Sequence, residues 1–244
     1  MLFVSVVADT SLAYEVALEF SATAVQIAPG RPDVQKKMYV GKDMVRTESE
    51  LNNTQLIEIT KTKEQLRLFI MPSEKVYMQQ KDSGPVISVT PDKLASENPC
   101  AGMRDTSCKL LSTEKINNRP AEKWEFTAIQ GDQVYLSLHW IDVEHRMLVR
   151  EFFPDGTFTE LTPLGTETIN GRHTEKWLWQ TSGPGGLGNS TTQWYDPELK
   201  IAIREEIQGG FIRELRDIKT GKQDSSLFEI PAGYRQVDHL QGLR

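Results

Sequence analysis

The chain of 244 residues has two cysteines, four histidines, no excess of basic charge and no long apolar run. Each shortage excludes something. A membrane-spanning helix needs about 20 consecutive apolar residues, and no stretch approaches that. Lys and Arg number 28 against 34 Asp and Glu, for a net charge of −6. A general nucleic-acid binder needs a basic surface to displace counterions from phosphates, so that class is excluded, and anionic lipid surfaces are disfavoured. Two cysteines alone cannot make a zinc site. No G-x-S-x-G elbow is present and neither cysteine has an obvious catalytic base. Helical periodicity is also scarce. A short helix is expected only at 91–97, where Thr90 can cap and Pro91 can take the first helical position.

What is present is alternation. Val16, Leu18, Phe20, Ala22 and Ala24 fall on one face of a strand. Gly41-Lys42-Asp43 separates two short strand patterns, 37–40 and 44–47, as a hairpin turn does. Strand patterns follow at 56–60, 66–71 and 76–78. The second half is duplicated. Residues 111–124 match 164–177, and residues 140–144 match 194–198, so the period is 53–54 residues. Two copies are too few for a solenoid. Local hairpins favour antiparallel pairing, and a long twisted antiparallel sheet coils toward a barrel. The expected fold class is therefore mainly β, a large curved antiparallel sheet forming a half-open barrel with short helical cover. Residues 1–13 read as the remnant of a signal peptide, with a native first strand as the alternative. Residues 14–244 read as one β domain that contains the duplicated meander at about 111–163 and 164–219.

Several groups could carry chemistry. Cys100 and Cys108 lie in a polar, turn-rich segment; a structural disulfide in an oxidising compartment is expected, with two free thiols as the alternative. Gly183-Pro184-Gly185-Gly186-Leu187-Gly188 spells G-x-G-x-x-G, but a strand-like segment follows instead of the helix a dinucleotide site needs, so it reads as a hairpin loop. His139 and His145 come from consecutive strands, near Asp142 and Glu144. Because Asp142 and Glu144 recur as Asp196 and Glu198 while His145 becomes Leu199, turn chemistry explains the acids better than a metal does. Glu114 with Glu122, and Glu167 with Glu175, read as cross-strand ion pairing with Lys123 and Lys176. Trp124 and Trp177 follow Glu-Lys at the same repeat phase and should be equivalent core residues. No catalytic residue, metal or cofactor is assigned.

Other stretches carry a family resemblance. They are Phe20-Ser21-Ala22, Lys37-Met38-Tyr39-Val40-Gly41, Met71-Pro72-Ser73-Glu74-Lys75-Val76-Tyr77-Met78, the duplicated Thr-Glu-x-Ile-Asn units, and Ser226-Leu227-Phe228-Glu229-Ile230-Pro231-Ala232-Gly233-Tyr234. Together they resemble bacterial outer-membrane lipoprotein-sorting proteins of the LolA/LolB-like superfamily, in its uncharacterised branch. The resemblance implies a half-open barrel lined by apolar residues, a periplasmic place in a Gram-negative-type envelope, and a lipid, acyl-chain, lipoprotein or envelope-protein partner without catalysis. The expected function is a non-enzymatic binder of an apolar ligand in the concave face of the sheet. The alternative is an interaction or regulatory module that receives a protein segment on that face. Alternating apolar residues on the early strands are the cavity candidates: Leu18, Phe20, Met38, Val40, Leu66, Leu68 and Ile70. Spacing of two places each set on one face of its own strand.

Overall fold

A computed structural model describes residues 18–51, 53–81, 98–100, 103 and 105–240. The segments read as a signal remnant and as a short helix lie outside these residues. The first six strands are β1 (Phe20–Ile27), β2 (Val34–Gly41), β3 (Met44–Leu51), β4 (Thr54–Lys61), β5 (Leu66–Met71) and β6 (Val76–Lys81). Then come β7 (Thr106–Ile116), β8 (Arg119–Gln130), β9 (Gln133–Asp142), β10 (Leu148–Phe152) and β11 (Phe158–Ile169). The last are β12 (Arg172–Gly183), β13 (Gly186–Asp196), β14 (Ile201–Ile207), β15 (Phe211–Thr220) and the two-residue β16 (Arg235–Gln236). One 3-10 turn, Ser225–Phe228, is the only helical element among the described residues.

The chain divides into two compact units, Met1–Pro91 with Arg213–Arg244, and Asp92–Ile212. In the first, neighbouring strands run β16-β6-β5-β4-β3-β2-β1-β15. In the second they run β14-β13-β12-β11-β10-β9-β8-β7. From β1 to β6 and from β7 to β14, sequence neighbours pair antiparallel, as local hairpins require, while β16 lies parallel on β6. Among the described residues neither run returns to pair with its own first strand, so neither closes into a barrel. The mainly β, antiparallel class is what the structure shows.

Turn chemistry explains the hairpins. The β2–β3 turn holds Asp43 at φ 59°, and the turns opening each repeat copy hold Asn117 and Asn118 (51° and 63°) and Asn170 and Gly171 (51° and 77°). Two consecutive positive φ values match the twist of the flanking strands, and Asn and Gly tolerate them best. The duplicated sequence thus repeats a backbone conformation as well as a pattern.

Candidate functional site: the two faces of the first sheet

Register decides which apolar residues of the first unit stand together. Phe20 lies opposite Val40, and Ala22 opposite Met38. Val40 opposes Val45, Val45 opposes Thr60, and Thr60 opposes Arg67. Residues directly opposite in a ladder share a face, and the next residue points the other way. Phe20, Met38 and Val40 therefore share one face. Leu66, Leu68 and Ile70 stand on the other, with Ile57 and Ile59 beside them. Leu18 precedes β1 and is exposed. The seven cavity candidates divide between two faces.

The Leu68 face is filled by the chain itself. Ile57, Ile59, Leu68, Ile70 and Phe228 form one buried cluster, with Tyr39, Leu66, Tyr77, Leu227, Ile230 and Tyr234 packed against it. Phe228 comes from the 3-10 turn, capped by Asp224, whose carboxylate accepts from the Ser226 N–H at 2.9 Å. A Cβ at Gly41 would meet the Phe228 ring at 2.9 Å, so glycine there lets the ring sit on the strand. Arg46 donates to the Leu227 carbonyl at 2.7 Å and pairs with Glu48 at 2.7 Å. Arg235 and Val237 donate backbone N–H groups to the carbonyls of Lys75 and Tyr77, both at 2.9 Å. Residues 221–237 thus act as a strap across this face. The signal for it was present as Leu227, Phe228 and Ile230 ahead of Pro231, but a long-range cover has no local periodicity to betray it.

The Phe20 face is graded. Phe20, Ala22 and Val40 are buried, while Met38, Val45, Phe69 and Met78 are half-buried. Phe69 opposes both Glu58 and Met78, which places them on this face as well.

The charged clusters of the second unit come in matched sets. Trp124 donates its indole N–H to Glu122 at 3.1 Å, and Trp177 donates to Glu175 at 3.2 Å. Trp140 donates to Glu114 at 3.1 Å, and Trp194 to Glu167 at 2.9 Å. These indole bonds, joined by Lys123 and Lys176, hold the Glu114 and Glu167 carboxyls below their ordinary range. Arg119 pairs with Asp142 at 2.7 Å, and Arg172 pairs with Asp196. Asp142 and Asp196 each accept backbone N–H groups from the turn that follows. Burial opposes charge on Asp142, but hydrogen bonds from His145 and Arg119 win and hold its carboxyl far below the usual range. His145 contacts Arg119 and lies 3.3 Å from Asp142 and 3.1 Å from Glu175. His139 lies apart, stacked on Phe126 and 3.0 Å from Glu151. Glu114, Glu122, Glu167 and Glu175, which could have formed carboxylate pairs, are each engaged by an indole and by a basic side chain. The Arg–Asp pairs were missed in the sequence, although Arg119 and Arg172 occupy one repeat phase.

Cys100 and Cys108 are disulfide-bonded, with Cα atoms 5.7 Å apart. Gly183 and Gly186 flank the β12–β13 hairpin, so the glycine-rich motif is a turn between strands. Among the described residues, no three His, Cys, Asp or Glu are placed to hold a metal ion. Nor is any helix long and apolar enough to cross a membrane.

No sequence-family description and no curated protein sequence matches the chain. Solved structures do. A LolA superfamily protein from Nitrosomonas europaea matches 90% of this chain and 93% of its own, at 11% identity and a TM-score of 0.37. The chain is similar to LolA-superfamily proteins. A putative outer membrane lipoprotein-sorting protein domain from Vibrio parahaemolyticus matches 86% of the chain and 88% of its own, at 12% identity and a TM-score of 0.33. PNGF-II matches 91% of the chain at 11% identity and a TM-score of 0.35, over only 31% of its own length.

Proposed function

We propose that the protein is a non-enzymatic, exported binder of an acyl chain or similar apolar ligand, held against the face bearing Phe20, Met38 and Val40. The asymmetry of the two faces carries this reading. Phe228 and the strap fill the Leu68 face from within the chain. The Phe20 face has buried apolar residues that grade into half-buried Met38, Phe69 and Met78. Methionine adapts its shape to irregular apolar surfaces, which suits a wall for a flexible chain. Leu66, Leu68 and Ile70 belong to the strap-covered core in this reading, and Leu18 to the rim. The disulfide supports an oxidising compartment such as the periplasm.

Burying one methylene is worth about 0.8 kcal/mol, so ~10 methylenes gain about 8 kcal/mol gross. Several kcal/mol are lost in immobilising the ligand, which leaves micromolar or weaker affinity. The test is titration with a fluorescent fatty-acid probe. Met38→Glu, at a half-buried position, should abolish probe binding and keep the circular dichroism of the fold. Leu68→Ala, in the strap-covered core, should cost roughly 2–5 kcal/mol of stability and leave probe affinity unchanged. Full-affinity binding by a folded Met38→Glu protein would overturn the assignment of this face.

A further inference from the structure

The face bearing Phe20, Met38 and Val40 changes character along β2. Val40 is 1% exposed, Met38 is half-buried, and Val34 at the start of the strand is 48% exposed. Lys36 stands between Met38 and Val34 on this face, directly opposite Ala24 of β1. It is half-buried, whereas Gln35 and Lys37, which point the other way, are exposed. A lysine lays its methylene stem along apolar surface and keeps its ammonium at the wet edge. Thr47, opposite Met38, and Ser49, two residues further along β3, add half-buried hydroxyls to the same face.

The charge of Lys36 is unbalanced. Arg46, Lys61, Arg67, Lys123, Arg150 and Lys176 are half-buried too, and each has a carboxylate within 3.6 Å. Among the described residues, no hydrogen bond or ion pair engages the Lys36 ammonium. Register explains why. The acids of β3, Glu48 and Glu50, stand on the opposite face, and Arg46 holds Glu48 at 2.7 Å. Glu58 shares the Phe20 face but pairs with Arg67 at 3.6 Å. Over strands β1 to β6 this face therefore carries Glu58 and Arg67, which cancel, and Lys36, which leaves a single positive charge. A cation beside an apolar wall attracts an anion more strongly than one in open water, because the wall lowers the local dielectric.

We infer that Lys36 anchors the head of an anionic single-chain amphiphile, whose tail lies on Met38 and runs toward Val40 and Phe20. This rests on the ligand face proposed above and adds the charge of the ligand to it. Lys36 and Val40 are separated by about 13 Å of strand, so head and tail have separate places. The lysine ammonium is a point charge with three rotatable donors, which suits a carboxylate or a phosphate alike. The shared chemistry is an oxyanion on one acyl or alkyl chain.

The experiment is displacement of Nile red, an uncharged dye, from the full chain by ligands of one chain length: decanoate, decyl phosphate and decanol. An oxyanion should displace the dye at about tenfold lower concentration than decanol, as one charge-assisted hydrogen bond allows. If only one of the two oxyanions does so, it names the head. In Lys36→Met that advantage should vanish while decanol competes as before, and Lys36→Arg should restore most of it. Lys37→Met, one residue away on the opposite face, should change nothing. Circular dichroism of each variant confirms the fold. Equal competition by decanol and both oxyanions, or an advantage that survives Lys36→Met, would overturn the role of Lys36 and leave the ligand face standing. No displacement by any of the three would overturn the face and the anchor together.

Discussion

The first meander copy has His139 and His145 where the second has Gln193 and Leu199. The frame around these positions is the same in both. Glu151 lies 3.0 Å from His139, and Glu205 accepts from the Gln193 amide at 3.1 Å, so a polar side chain stands beside the carboxylate in both copies. At the turn, Asp142 and Asp196 each bind an arginine and two backbone N–H groups. There the copies part. His145 reaches across to Glu175 and leans on Tyr195, centroids 5.7 Å apart, both in the second copy. Leu199 is fully buried. The repeat therefore preserves the hydrogen bonds that shape a turn and leaves open what the turn packs on. Duplication copied the frame; each neighbour then selected a polar or an apolar plug.

The largest test of that equivalence is at the tryptophans. Trp124 and Trp177 are both buried, and truncation of either to Ala should cost roughly 3–5 kcal/mol in denaturant unfolding. Trp177 should be the costlier, because it belongs to the cluster of Ile116, Trp140, Leu161 and Tyr195, and the Arg119 guanidinium lies 5.7 Å from its ring centroid. A loss below about 1 kcal/mol at either site would break the equivalence. The arginines come next. Asp196 is almost fully buried, and Arg172 pairs with it. Arg172→Met should cost about 3 kcal/mol, the lower end for breaking a buried pair, since Arg172 is partly exposed. Arg119→Met should cost less, because His145 still faces Asp142. Equal losses would mean that His145 gives Asp142 no support.

Much of this was legible in the chain. Alternation located strands such as β4 and β5, Gly41-Lys42-Asp43 located the β2–β3 turn, and the matched Glu-Lys-Trp phases located equivalent tryptophans. The grouping of faces was not legible. Phe20 and Leu68 both sit in clean alternating patterns, yet they face opposite ways. Period fixes a face within one strand only; across strands the face depends on register, and a shift of one residue inverts it. The turn at 62–65 between β4 and β5, with Gln65 at φ 51°, sets Leu68 opposite Ile59 instead of Thr60. The strap escaped for a related reason. Phe228 packs on residues far back along the chain, and no local pattern states which surface an isolated apolar turn will cover. The inter-copy joint was half legible: His145 stood out as the residue that changes, but its contact with Glu175 needs the fold.

Next in size is the disulfide. Cys108 stands on β7, the end strand of the second unit, at the phase where the second copy has the buried Leu161. An inner strand has paired neighbours on both sides; among the described residues β7 pairs only with β8, and the Cys100–Cys108 bond ties it down instead. Cys100→Ser with Cys108→Ser should cost about 2–3 kcal/mol in the chain-entropy account of a short closed loop. Alkylation without reductant should leave both thiols of the native protein unlabelled. Labelling of both would show that the end strand is held without the bond.

The smallest effect should be the most diagnostic of the joint, because it depends on pH. The hydrogen bond to Asp142 raises the His145 pKa above its ordinary 6.5; burial opposes this, and Glu175 adds to it. A group whose folded pKa is raised stabilises most where it is protonated in both states, below about 6.5 here. That contribution disappears as pH rises through the raised folded value. Asp142 works from the other side: its lowered carboxyl contributes above its ordinary 3.8 and is lost in acid. His145 should therefore make the protein more stable just below neutrality than well above it. His145→Leu copies the plug of the second copy and should flatten this slope. The difference in unfolding free energy between the parent and His145→Leu should shrink steadily from about pH 6 to about pH 8. Glu175→Gln removes one of the three carboxylates facing the ring and should reduce the slope without abolishing it, since Asp142 and Glu144 stay. A parent and a His145→Leu protein with parallel pH profiles would mean that His145 sits in the joint as a neutral spacer, and that the two copies differ in shape but not in charge.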